Sequence, residues 1–422
     1  MIDRDFLRLV WHNRLFEARD LTFSDAVDRV VVSGGVASCE DEYRFDGVEF
    51  IDPVTHSTIR GTMCIDQLSS NLAPQNHDIA IHLVAQRDKI MLRDDREVLT
   101  VVLGVRAELL EFYRRMPIDC ESSLAQIEGV VREALIERLA TNRVERKGRE
   151  ILALQNELGD WVETFYISFM RSWGYRDKKR DFENLARAVP YRYIVRHAER
   201  EHLLEAMLLG AAGYLDVRSA DYYTAELQSE WRAFRRENTL NDPIVDWQGA
   251  RTRPSSAPAI SIVRAATILA HTPDLMQMIL RSRTVSDLYS ILDVALPSYW
   301  RYHSAPSSVI CGQPVSDNLT NEKLNLVIIN CVVPFLWAYG IDRGDGGYVE
   351  RSMDLLNMVP AEHNLYTRSY ASCGSRLVWA TDSQAMIELK TVYCPSARCA
   401  VCPLGRARLA SFVLVTRTRG VF

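Results

Sequence analysis

The sequence lacks the features of an exported or membrane-inserted protein. Its first residues, MIDRDFLRLVWHNRLF, are acidic at the start and contain no basic region followed by an apolar one, so we predict no signal peptide. The most apolar run, LVIINCVVPFLWAYG at 326–340, is shorter than a membrane-spanning helix and contains Asn330 and Pro334, which favours a buried core segment. We therefore expect a cytoplasmic protein without a membrane partner.

An excess of positive charge is also missing. The net charge is −5 and the pI is near 6.0, which excludes a global field that attracts nucleic acid or anionic lipid, while a local basic face stays open. Lysine is rare, because only six of the 50 Lys and Arg residues are lysines and 44 are arginines. The arginines are scattered through every segment, which indicates codon bias more than a site for phosphate or carboxylate groups.

Cysteine, in contrast, is present nine times. In a reducing cytoplasm disulfides are rare, so a clustered set of cysteines is more typical of a metal or catalytic site. Five cysteines stand alone and are interpreted as core or loop residues: Cys39, Cys64, Cys120, Cys311 and Cys331. The remaining cysteines lie in the C-terminal part of the chain.

Length and local patterns predict two parts. A chain of 422 residues exceeds what one hydrophobic core usually supports. Within 28–105, short β-branched segments between Gly, Pro, Asp or Asn residues predict about five strands of one mixed sheet. After Pro117 the apolar period becomes that of helices. We predict an α+β protein, with an α/β domain at 1–116 and a mainly helical region at 117–422.

The helices are predicted from apolar periodicity and capping patterns. A first helix covers 1–19, and Ser123 with Gln126 predicts a capping box at the start of the helical region. Further helices are expected at 159–173, 181–187, 190–210, 221–237, 258–271, 274–282, 284–295, 321–340 and 348–357. Two loops, 247–259 and 301–318, separate groups of helices and are candidate binding surfaces.

The segment YCPSARCAVCPLG, 393–405, carries Cys394, Cys399 and Cys402 with the spacing C-x4-C-x2-C. Thiolates are soft ligands that suit Zn²⁺ or an iron–sulfur cluster, and a turn with C-x2-C lets two sulfurs converge on one ion. Pro395 and Pro403 favour a turn over a continuous helix. The segment therefore predicts a cysteine knuckle at the end of the helical region.

A tetrahedral site needs a fourth ligand, for which Cys373 is the first candidate and His363 the second. Two other interpretations stay open. The cysteines are small buried residues packed in a tight turn, or Cys399 and Cys402 form a redox dithiol.

Several stretches together resemble one bacterial family of about this length, a domain-of-unknown-function family. They include FLRLVWHNRLFEARDL, LLEAMLLGAAGYLD, IINCVVPFLWAYG and DSQAMIELKTVYCPSARCAVCPLG, and they run from end to end. The N-terminal half of that family carries G-P-D-F, V-E-I-H and V-I-L-H-V-V elements in an order that is similar to metal-dependent nucleases of the PD-(D/E)XK type. The resemblance implies two carboxylates that hold Mg²⁺ and a polar group that positions water.

This sequence departs from that pattern at the positions where catalysis depends on it. CEDEYRF replaces G-P-D-F, and MCID replaces V-E-I-H, so that Cys64 takes the place of the glutamate; only His82 matches its position. The degenerate candidates for a magnesium site are Asp41, Asp46, Glu49, Asp66 and His82. In the alternative that we favour, Asp46 and Asp66 are turn residues, Glu49 faces solvent and His82 is a packed core histidine.

A second candidate surface lies in the connector 247–259. Trp247, Arg251 and Arg253 could stack on or clamp a nucleotide through indole and guanidinium faces. The alternative, which we favour, is a tryptophan that anchors the loop on the core. The basic run YRDKKRD, 175–181, is interpreted as a solvated loop between helices.

Three functions remain from these patterns. The leading hypothesis is a non-catalytic binding protein, nucleic-acid associated, with an eroded nuclease-like site and a cysteine knuckle. The rival is an active Mg²⁺-dependent phosphodiesterase that uses Asp41 or Asp46 with Glu49 and Asp66. The third is a scaffold that binds a protein partner through the two long loops.

Overall fold

The computed structural model describes residues 2–38, 41–73, 78–93, 96–116, 120–174, 178–219, 221–240, 242–248, 254–395 and 399–418. It confirms the α+β class, because the strands lie in the N-terminal part and the rest is mainly helical. The chain forms two compact units. The first unit comprises Met1–Leu135, Ser369–Ser375 and Ile387–Phe422, and the second comprises Ile136–Arg368 and Arg376–Met386.

The predicted domain boundary at 116/117 stays a prediction, and the first compact unit is larger than 1–116. It takes its last helix from the C-terminal end of the chain, whose Leu409 and Val413 are buried in the same core as the N-terminal helix. Phe112 and Phe412 stack at a centroid distance of 4.2 Å. Both ends of the chain therefore contribute to one hydrophobic core.

The strands of the first unit are β1 Leu21–Phe23, β2 Val30–Ala37, β3 Arg44–Ile51, β4 Thr58–Leu68, β5 Ile79–Gln86, β6 Leu92–Arg93, β7 Arg96–Glu97 and β8 Leu99–Leu103. Six of them form a mixed sheet in the order β1-β8-β5-β4-β3-β2, and β6 and β7 form a separate pair. Strands β4 and β5, and strands β5 and β8, pair in parallel, whereas the other neighbours in the sheet are antiparallel. The centre of β5, residues 81–84, is buried, as its apolar sequence predicts.

Helix α1, Arg4–His12, has its apolar side buried in the core of this unit, where Phe6 and Trp11 are at most 1% exposed. It begins where the Asp3 carboxylate accepts a hydrogen bond from the Phe6 amide at 2.7 Å. It ends earlier than the predicted 1–19, because Arg14 has a left-handed backbone with φ of 54°.

The remaining helices are short except for α4. In chain order they are α2 Ala107–Arg115, α3 Cys120–Gln126, α4 Gly129–Leu158, α5 Trp161–Trp173, α6 Lys179–Ala188, α7 Tyr191–Arg196, α8 Glu201–Ala211, α9 Tyr222–Glu237, α10 Pro258–His271, α11 Leu275–Arg281, α12 Val285–Leu292, α13 Asn321–Val327, α14 Val333–Arg343, α15 Gly346–Met358, α16 Leu365–Ser372, α17 Ala380–Glu388 and α18 Pro403–Thr418. Single turns of 3-10 helix occur at Ala18–Asp20, Ser69–Asn71, Pro254–Ser256 and Ser298–Arg301.

Two helical predictions were wrong in detail. Ser123 does not cap a helix, because it lies inside α3, and the chain leaves the helix at 127–128 before α4 begins at Gly129. The segment 190–210 forms two helices, α7 and α8, with a break at 197–200.

Two π-helical turns, Ile328–Val332 and Leu389–Tyr393, extend neighbouring helices. The first joins α13 to α14, and the resulting helix Asn321–Arg343 is long and apolar enough to cross a membrane. However, 78% of its apolar window is buried inside the protein, which agrees with the predicted core segment. π-Helical turns are rare in proteins, and those that occur often lie at functional sites.

Candidate functional site

Asp66 on β4 and His82 on β5 form a buried polar pair in the first unit. Parallel pairing places the two strands side by side, and His82 Nε2 lies 3.0 Å from Asp66 Oδ2. The other carboxylate oxygen, Oδ1, lies 3.3 Å from Nε of Arg4 on α1. His82 is fully buried and Asp66 is 8% exposed. Both oxygens of Asp66 are therefore already bound by groups of the protein itself.

Cys64 completes this group at the position that the resemblance assigns to a glutamate. Its thiol lies 3.7 Å from Asp66 Oδ2 and 3.6 Å from Nη2 of Arg4. Burial, with a smaller contribution from the Asp66 carboxylate, raises the pKa of Cys64 to about 11. A protonated thiol is a poor ligand for Mg²⁺, which prefers carboxylate oxygens.

The other predicted carboxylates, Asp46, Glu49 and Asp41, have contacts that do not involve Asp66 or His82. Asp46 on β3 is exposed and accepts a hydrogen bond from Thr62 Oγ1 at 2.9 Å. Glu49 is partly buried on β3 and lies opposite Arg60 in the register of β3 and β4. Asp41 accepts a hydrogen bond from the Tyr43 amide at 2.9 Å. Among the described residues, no three His, Cys, Asp or Glu side chains are arranged to hold a metal ion.

The cysteine knuckle acquires a neighbour that the sequence analysis interpreted as isolated. Cys120 begins α3, and Cys394 follows the π-helical turn Leu389–Tyr393. Interaction with the Cys394 thiol lowers the pKa of the Cys120 thiol to about 7. Tyr370 lies beside them, with its hydroxyl 3.9 Å from Cys120 Sγ. A local pattern could not find this pair, because 274 residues separate its members.

Burial raises the pKa of both Cys399 and Cys402, and the charge of the Cys120 thiol adds a smaller increase. The choice of Cys373 or His363 as a fourth ligand stays a prediction. Cys373 is an exposed residue after α16, and none of its described interactions involves these thiols. His363 belongs to the second unit.

A second group missed by the sequence analysis lies in the second unit. We call it the basic recess, and it consists of Arg143 and Lys147 on α4 and Lys179 at the start of α6. Lys147 Nζ donates to Oδ1 of Asn330 in the first π-helical turn at 2.8 Å. Arg143 Nε donates to Oε1 of Gln384 at 2.6 Å. Lys179 acts electrostatically on Lys147, so two of the six lysines lie close enough to repel each other. Lys179 is part of the run interpreted as a solvated loop.

Burial of the cationic groups and their mutual repulsion determine the electrostatics of the basic recess. Burial, followed by repulsion from Arg143, lowers the pKa of Lys147 well below its usual range. Burial, followed by repulsion from Arg171, also lowers the pKa of Lys179. Lys147 keeps some accessible surface although protein surrounds it densely. The Glu362 carboxylate partly offsets this repulsion at both Lys147 and Lys179.

The predicted nucleotide-stacking residues are only partly described. Trp247 donates its indole N–H to the Ala212 carbonyl at 3.0 Å and packs edge-on against Phe182. This geometry agrees with a loop anchor. Arg251 and Arg253 lie outside the described residues.

A family model described as "Protein of unknown function (DUF2851)" matches residues 4–365. The chain therefore belongs to the DUF2851 family, as its resemblance implied. The match does not show the predicted similarity to PD-(D/E)XK nucleases, which stays a prediction. Neither a curated protein nor a solved structure matches the chain.

Proposed function

We propose that this DUF2851 protein binds nucleic acid without cleaving it, and that the basic recess of the second unit contacts the phosphates. The observation that carries the proposal is Lys147. It is densely surrounded by protein, its hydrogen bond goes to a neutral amide, and in the described part of the chain it has no carboxylate within ion-pair distance. An ammonium group without a compensating anion is costly to bury, which is why the pKa of Lys147 is lowered, and a bound phosphate group would supply the anion that favours the charged form.

The non-catalytic part of the proposal is supported by Asp66. Its two oxygens face Arg4 and His82, so an arriving Mg²⁺ would have to displace an arginine and a buried histidine. A magnesium site needs carboxylate oxygens that are free to coordinate. The bonding of Asp66 supports a structural role for this part of the sheet.

The test is fluorescence anisotropy with labelled single-stranded and double-stranded oligonucleotides at rising salt, alongside a cleavage assay with Mg²⁺. We expect salt-sensitive binding and intact oligonucleotide. Lys147→Met and Lys179→Met should each weaken binding and reduce the slope of log K against log salt by about one phosphate contact. The matched control is Lys89→Met, because Lys89 is exposed in the first unit.

Circular dichroism is used first to show that the variants are folded. Equal affinity for the wild-type chain and both recess variants would remove the basic recess from the proposal. No binding at low salt would overturn nucleic-acid association. Cleavage that depends on Mg²⁺ and is lost in Asp66→Asn would support the phosphodiesterase alternative.

One observation favours a second candidate, a scaffold for a protein partner. In the loop 301–318, Val309 is 90% exposed and Ile310 is 67% exposed. Exposed apolar neighbours are typical of contact surfaces. This candidate gains support if the chain binds no oligonucleotide.

A further inference from the structure

We propose that the nucleic acid bound by the second unit is single-stranded, and that exposed apolar side chains beside the basic recess stack on its unpaired bases. This inference rests on the proposed nucleic-acid binding and adds the class of nucleic acid that the site takes. We call these side chains the stacking surface, and all of them lie in the second unit: Met358, Pro360, Val378 and Trp379.

The observation that carries the inference is the exposure of Trp379. All eight tryptophans of the chain lie among the described residues. Trp379 is 46% exposed, and the other seven are buried or half-buried. Contact of so large an apolar ring with water is unfavourable, and the ring is well suited to pack against a flat partner.

Trp379 belongs to a small exposed apolar surface. Residues 358–361 and 378–380 pair as a short antiparallel ribbon, in which Pro360 lies opposite Trp379. Two backbone hydrogen bonds, of 2.7 Å and 2.9 Å, join the two segments of this ribbon. The ribbon fixes the backbone of Trp379, so the ring is presented to solvent from an ordered support. Contiguous exposed apolar side chains are typical of surfaces that bind a partner.

The stacking surface is connected to the basic recess through helix α17. The helix begins at Ala380, directly after Trp379, and its Gln384 accepts the 2.6 Å hydrogen bond from Arg143 of the recess. Five residues separate Trp379 from Gln384, which corresponds to about 7.5 Å of rise along a helix. An aromatic ring next to cationic groups is the combination with which proteins hold the bases and phosphates of single strands.

Two carboxylates near this surface are bound by donors of the protein. The Asp382 carboxylate accepts hydrogen bonds from the backbone amides of residues 378 and 379, at 2.8 Å and 2.9 Å. The Glu362 carboxylate accepts hydrogen bonds from the side-chain amides of Gln384 and Asn364, each at 3.1 Å. These donors offset part of the repulsion that the carboxylates would exert on a phosphate.

The preference for single strands follows from the position of the bases. In a duplex the faces of the bases are stacked on one another, so an aromatic side chain on a protein surface reaches them only where a strand is unpaired. The basic recess by itself contacts the phosphates of single and double strands. The stacking surface should therefore add affinity for single strands, with little dependence on sequence because every base has a flat face.

The experiment measures the affinity of the full chain for three labelled probes by fluorescence anisotropy at one salt concentration. The probes are a single strand, the duplex of the same sequence, and a strand of equal length that carries no bases. We expect the single strand to bind at least about fivefold more tightly than the strand without bases, which is the contribution of one stacked base. It should also bind more tightly than the duplex.

Trp379→Leu keeps an apolar side chain but removes the ring, so it should abolish this difference. The slope of log K against log salt should stay unchanged, because no phosphate contact is lost. The matched control is Tyr222→Leu, which removes a ring that is 77% exposed in the same unit and should leave binding unchanged. Circular dichroism checks that both variants are folded.

A second measurement uses the wild-type chain. Ultraviolet cross-linking to a single strand that contains 5-iodouracil, followed by mass spectrometry, should identify Trp379. Equal affinity for the strands with and without bases, a base preference that persists in Trp379→Leu, or cross-links only to other residues would overturn the stacking surface and leave phosphate binding by the recess intact. Binding of none of the three probes would remove the proposed nucleic-acid binding and this inference with it.

Discussion

At the scale of single residues, Glu205 on α8 is a buried carboxyl group of the second unit whose pKa is strongly shifted. It is 2% exposed and accepts hydrogen bonds from Tyr223 Oη at 2.6 Å and from the Trp300 indole. Burial raises the pKa of Glu205 from 4.5 to about 8. Between these values the folded protein holds a proton that the unfolded chain has released, so stability must fall as the pH rises.

We therefore expect the free energy of unfolding to be higher at about pH 5 than at about pH 8, by a few kcal/mol from this group. Urea denaturation at both pH values measures the difference. Glu205→Gln carries no titrating group and should remove most of it, whereas Glu199→Gln, a change at an exposed glutamate, should leave it intact. An unchanged pH dependence in Glu205→Gln would show that Glu205 is ionised in the folded protein.

The polar pair on β4 and β5 gives a second residue-scale prediction. Asp66→Asn removes the charge that faces Arg4 and His82, so it should destabilise the protein by about 1–3 kcal/mol. Asp46→Asn changes a carboxylate on the adjacent strand β3 that is 53% exposed, and it should cost less than about 0.5 kcal/mol. Equal stability of the two variants in urea would mean that the Asp66 contacts contribute nothing.

At the scale of elements, the long helix α4 depends on a glycine in its interior. A Cβ at Gly148 would lie 2.1 Å from Cε3 of Trp337 on α14. Gly148→Ala should destabilise the protein by about 1–3 kcal/mol through overpacking, although alanine favours a helix by about 1 kcal/mol. Gly129→Ala, at the start of the same helix and in open space, should be neutral or stabilising. Thermal unfolding of both variants tests the contrast.

Local patterns predicted the elements well where the pattern was long. The predicted 258–271 coincides with α10, and the predicted 221–237 begins one residue before α9. The prediction failed for elements whose formation depends on tertiary contacts more than on the local sequence. Strand β1 has three residues and exists through its pairing with β8. The same reason explains the candidate sites, because the spacing of Cys394, Cys399 and Cys402 is local, whereas Cys120 and Lys147 acquire their neighbours only through folding.

At the scale of the whole molecule, the first unit is closed by a segment that is distant in sequence. Leu409 and Val413 of α18 are at most 7% exposed in the same core as Phe6 and Trp11. Loss of α18 would remove Leu409 and Val413 from this core and expose the apolar side chains that they cover, including the Phe112 ring on which Phe412 stacks. Each large apolar side chain that becomes exposed costs about 1.5–3 kcal/mol, and the total is comparable to the about 5–15 kcal/mol that stabilises a domain.

We therefore expect a fragment of residues 1–116 not to fold by itself, although the N-terminal patterns predict a domain with those limits. A fragment of residues 1–386 should likewise have a disordered or aggregating sheet. Hydrogen exchange at the amides of β4 and β5 measures this directly, because those strands lie in the centre of the sheet. Addition of a peptide with residues 387–422 should restore protection if α18 completes the core. Full protection of β4 and β5 in the fragment 1–116 would instead show that the N-terminal sheet is stable without α18.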